Sequence, residues 1–132
     1  MSHIAQVKTQ VKDLEVFKEI MGLLGFKLTG KGGTVRAMDG GTREVLDKVA
    51  GHDIGIHATQ NESGEEVFQL TGEFYRTGWY GKERELADKI NQQYAARKIK
   101  KELEAQGYQL SENSEYAVDA NGDITITLVS YQ

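Results

Sequence analysis

The chain has 132 residues, of which 39% are hydrophobic and 27% charged, with a net charge of −4, 15 glycines, no proline and no cysteine. That length and balance predict one soluble domain over residues 1–132 with enough apolar surface for a core. The lack of cysteine excludes disulfides, thiolate catalysis and Cys-held zinc or iron–sulfur clusters, and it fits a cytoplasmic, reducing setting. A mean hydropathy of −0.52 predicts no membrane-spanning helix, and the acidic balance disfavours nucleic acid as a partner. MSHIAQVKTQ lacks the basic and apolar blocks of a signal peptide.

Residues 4–11 alternate Ala5, Val7, Thr9 and Val11, which predicts a strand with one buried face. Asp13 can cap the helix that follows, where Val16, Phe17, Ile20 and Leu24 recur at helical spacing. Gly25 supplies the stop, and Phe26–Thr29 resumes an extended pattern, so the opening unit reads β-α-β. Residues 30–41 hold five glycines in twelve positions. They predict a loop, with short strands near Thr34–Met38 and Thr42–Val49. Asp53–Thr59 and Glu66–Thr71 flank the turn Asn61-Glu62-Ser63-Gly64 and predict a hairpin.

Residues 82–106 predict the longest helix, rich in Glu, Lys, Ala, Leu and Gln. Its apolar rows, Leu86-Ile90-Tyr94 and Ala95-Ile99-Leu103, lie on nearly opposite sides. The helix therefore either breaks near Tyr94 or meets two surfaces. Gly107 ends it, Tyr108 and Leu110 alternate as a strand, and Asn121-Gly122 predicts a closing hairpin between 116–119 and 123–131. The expected fold is α+β: a mixed or antiparallel sheet with both helices on one face, ferredoxin-like with additional strands.

Candidate chemistry is sparse. Gly30-Lys31-Gly32-Gly33-Thr34 fails the spacing of a phosphate loop. His52, Asp53 and His57 are clustered, but positions i and i+4 on a strand stand about 13 Å apart, too far to share one ion. No catalytic signature, metal set or cofactor motif is present, and no cofactor is expected. The informative cluster is Tyr75, Arg76, Trp79 and Tyr80, in an aromatic segment, 74–80, that ends at Gly81. Aromatics with Arg in a glycine-bounded segment suit an interface, and Tyr94 on the long helix joins them as a candidate contact. Ordinary packing at a strand-to-helix corner competes evenly with that reading. Arg97-Lys98-Ile99-Lys100-Lys101 reads as a solvated helix face.

Short motifs spread over the chain form a set: Met1-Ser2-His3-Ile4 with Val7-Lys8-Thr9 and Asp13, then Asp53-Ile54-Gly55-Ile56. Ile90–Ala95, Lys98-Ile99-Lys100, Gln106-Gly107-Tyr108 and Asn121–Ile124 complete it. In order and spacing they resemble the hypothetical chloroplast reading-frame-thirty-five family of plastids, cyanobacteria, other bacteria and phages. Residues 30–51 and the end Val129-Ser130-Tyr131-Gln132 depart from its pattern. The resemblance implies no assigned activity and no catalytic residues. It implies an accessory or adaptor protein near AAA+ ATPases, cytoplasmic or in the plastid stroma.

The expectation is thus a non-enzymatic protein acting through contact with a protein partner or a second copy of itself. The alternative is a ligand-binding or catalytic site near His52, His57, Arg76 and Trp79.

Overall fold

A computed structural model describes residues 4–107, 116–118 and 124–126. The chain divides into two compact units, Met1–Asn91 and Gln92–Gln132.

In the first unit, β1 (Ile4–Lys8) leads to α1 (Leu14–Leu23), followed by β2 (Gly33–Arg36), β3 (Thr42–Val45), β4 (Asp47–Lys48), β5 (Ile54–Gln60) and β6 (Glu66–Glu73). The long helix α2 (Glu83–Ala105) starts here, and the boundary between the units falls within it. Four strands form one sheet in the order β1-β6-β5-β4, every neighbour antiparallel. β2 and β3 form a separate two-stranded ribbon. The class is α+β, and the antiparallel option is the one observed. Phe26–Thr29 does not become a full strand. It contributes a single bridge, Leu28 to Val49, so the opening β-α-β reading resolves as β1 and α1 followed by that bridge.

Local chemistry explains the elements. Asp13 caps α1, its Oδ1 accepting from Val16 N–H at 3.2 Å. Gly25, at φ 92°, takes the left-handed turn that ends the helix. In the β5–β6 turn, Asn61 Oδ1 accepts from the N–H groups of Ser63 and Glu65, both at 3.0 Å.

The register sorts the two sheet faces. Ala5, Val7, Leu70, Ile54 and Ile56 share one face, all buried. α1 lies against it through Phe17, Ile20 and Met21, and the Phe17 and Phe68 rings stand 6.3 Å apart. Burial of this order contributes about 1.5–3 kcal/mol per large side chain. Asp47, 2% exposed, accepts from Gly30 N–H at 2.9 Å and from Thr29 Oγ1 at 3.3 Å. Lys18 of α1 sits 3.7 Å from its other oxygen. The opposite face carries Gln6, Lys8, His57, Thr59 and Gln69, with the β2–β3 ribbon packed over Gly55.

Leu86 and Ile90, the first apolar row of α2, are fully buried. The helix continues without a break past Tyr94. In the second unit, Ile99 is 37% exposed and Ala95 and Leu103 are half-buried. There β7 (Tyr116–Val118) pairs antiparallel with β8 (Ile124–Ile126), Val118 opposite Ile124, as the closing hairpin requires. The Asn121-Gly122 turn and the strand expected at Tyr108–Leu110 lie outside the described residues, as does His3.

Candidate functional site

The connection from β6 to α2 carries the aromatic cluster. Phe74 is fully buried and anchors the segment under the sheet end, while Tyr75 is 49% and Tyr80 47% exposed. Their rings meet edge to face, 5.4 Å between centroids at 83°. That geometry is the favoured one for two quadrupolar rings.

Hydrogen bonds fix the backbone between them. Glu73 Oε1 accepts from Tyr75 N–H at 2.8 Å. Thr77 donates from N–H and from Oγ1 to the Phe74 carbonyl, at 3.0 and 2.8 Å. Thr77 Oγ1 accepts from Trp79 N–H at 3.1 Å, and Lys82 N–H donates to the Trp79 carbonyl at 2.9 Å. Gly81 then turns the chain into α2 with φ 73°. These bonds hold the segment in one shape.

The same connection borders the loop between β4 and β5. A cavity of about 440 Å³ is lined by Arg36, His52, Asp53, Glu73, Tyr75 and Arg76. A second, of about 410 Å³, is lined by His52, Arg76, Trp79, Phe26 and Lys27 among others. His52, Tyr75, Arg76 and Trp79 therefore converge on one surface. The acids nearby are engaged: Arg36 Nε lies 3.0 Å from Asp53 Oδ2, and its Nη2 lies 3.7 Å from Glu73 Oε2. Arg76 is exposed and makes no ion pair among the described residues.

Two expected members sit elsewhere. His57 belongs to the opposite face of the sheet, its Nδ1 3.2 Å from the Glu44 carbonyl, and it lines a different cavity. Tyr94 is half-buried on the part of α2 that belongs to the second unit. Missed in the sequence was the polar sheet face of Lys8 and Gln69. The alternation of Phe68-Gln69-Leu70-Thr71 marks such a face, but only strand register shows which residues sit across from it.

Among the described residues, no group of three His, Asp or Glu side chains could hold a metal ion. No described helix is long and apolar enough to cross a membrane. Asp39 has a resolved pKa displacement: the Gly41 N–H, then Arg43, hold its carboxyl below the ordinary value. It lies on the β2–β3 turn and not at the aromatic connection.

Residues 21–127 match the model of a family described as a protein of unknown function (DUF1257). The chain belongs to that family. No curated protein and no solved structure matches it. The match takes in the whole aromatic connection and both units in part, so these features are carried on a family domain and not on an appendage.

Proposed function

We propose that this protein is an accessory module that recognises another protein through the connection at residues 74–81. The observation that carries the reading is the Tyr75–Tyr80 pair: two aromatic rings, each about half exposed, on a backbone already locked by five hydrogen bonds. Aromatic and Arg side chains presented rigidly are the usual anchors of interfaces. Arg76 beside them adds a planar donor that favours an acidic or carbonyl-rich partner surface.

The resemblance to the hypothetical chloroplast reading-frame-thirty-five family suggests an AAA+ ATPase as the partner class, in the cytoplasm or plastid stroma. A second copy of this chain is the competing partner.

Trp79 is the single tryptophan and lies inside the proposed interface, so its emission is a built-in reporter. Titration with the candidate ATPase should shift Trp79 emission saturably, and Tyr75→Ala should weaken that response at least tenfold. Emission that stays unchanged while binding is seen by another method would contradict this interface.

A further inference from the structure

The polar face of the four-stranded sheet forms a second candidate site that shares no residue with the aromatic connection. Register places Lys8 of β1, Gln69 of β6 and His57 of β5 side by side in one row across three strands. A cavity of about 700 Å³ opens over them, and Arg43 and Glu62 also line it.

Gln69 decides the matter. It is 6% exposed, it lines the cavity, and its side-chain amide has no hydrogen-bond partner among the described residues. That small remaining exposure reaches the amide, which is open to the cavity and available to hydrogen-bond a group that enters it. His57 is oriented to help. A carbonyl only accepts, so the contact with Glu44 O places the proton on Nδ1 and leaves Nε2 of the neutral ring as an acceptor. Lys8 is exposed and makes no ion pair among the described residues, whereas Arg43 is held by Asp39 at 2.9 Å.

The lining also says what does not fit. Val67 is the cavity's single aliphatic residue and the His57 imidazole its single ring, so an acyl chain would have nothing to bury against. The remaining groups are amides, hydroxyls and charges with a small positive excess.

We propose that this face binds a small hydroxylated oxyanion. Lys8 takes the carboxylate or phosphate, while the Gln69 amide and His57 hydrogen-bond its hydroxyl groups.

The test is a titration of the nitrogen-15-labelled protein, following the Gln69 side-chain amide signal. Gluconate serves as the carboxylate probe and glucose 6-phosphate as the phosphate probe, with glucose and inorganic phosphate as controls. The expected result is a saturable shift with one oxyanion probe, at least tenfold weaker with either control. Lys8→Gln, an exposed substitution that leaves the core intact, should weaken that binding at least tenfold. Whichever probe binds identifies the oxyanion. No saturable shift with either probe, an equal response to glucose or inorganic phosphate, or unchanged binding by Lys8→Gln would each overturn the assignment.

Discussion

Gly55 lies directly beneath Val45: a Cβ on Gly55 would stand 2.5 Å from a Val45 methyl and 2.6 Å from its Cβ. The β2–β3 ribbon therefore closes on the sheet because residue 55 has no side chain. Val45 cannot swing aside, since the overlap reaches its own Cβ, which is fixed to the strand. Gly55→Ala should destabilise the fold by about 1–3 kcal/mol, the usual cost of overpacking. Denaturant unfolding checks it, and a variant as stable as wild type would show that the ribbon shifts freely.

Asp47 should be costlier to remove than its place on a two-residue strand suggests. Asp47→Ala strips the acceptor from Gly30 N–H and from Thr29 Oγ1 in a nearly closed position. The expected loss is about 1–3 kcal/mol. Asp47→Asn keeps a carbonyl oxygen for both donors and loses mainly the Lys18 pair, so its loss should stay below about 1 kcal/mol. Equal losses for the two variants would mean that the charge, not the hydrogen bonds, matters.

Neighbouring residues at the aromatic connection should give opposite readouts. Phe74 is fully buried, so Phe74→Ala should cost about 3–5 kcal/mol in stability. Tyr75 is half exposed, so Tyr75→Ala should cost less than about 1 kcal/mol, most of it from the lost ring pair. Thermal unfolding of the two variants separates support from display. A Tyr75→Ala variant as unstable as Phe74→Ala would make the tyrosine a packing residue.

Asp39 provides a pH test. Its folded pKa is lowered, by the Gly41 N–H first and Arg43 second. Stability from that depression is present above the ordinary carboxylate value and is lost as pH falls through the folded value. A carboxyl titration by nuclear magnetic resonance should place the Asp39 midpoint below 3.8, and Arg43→Gln should move it upward. A midpoint at or above the ordinary value in the wild-type chain would refute the contact.

The regular elements were legible because their signals are local. Asp13 and Gly25 mark the ends of α1, Asn61–Gly64 marks a turn, and alternation marks β5 and β6. The ribbon β2–β3 was only partly legible, since glycine-rich sequence carries little periodicity and the pairing depends on Val45 meeting Gly55. The convergence of His52 with Arg76 and Trp79 was anticipated, but the inclusion of His57 was not supported by its place on the other sheet face. One residue of register separates those faces. The row Lys8–Gln69–His57 joins residues far apart in sequence, and no local pattern announces it.

The central claim is that residues 74–81 dock a protein partner. The most direct measurement is quantitative affinity capture at moderate salt with three baits: wild type, Tyr75→Ala and Lys8→Gln. The account predicts one near-stoichiometric partner retained by wild type and Lys8→Gln and lost with Tyr75→Ala. Equal retention by all three baits, or no stoichiometric partner on any of them, would contradict it.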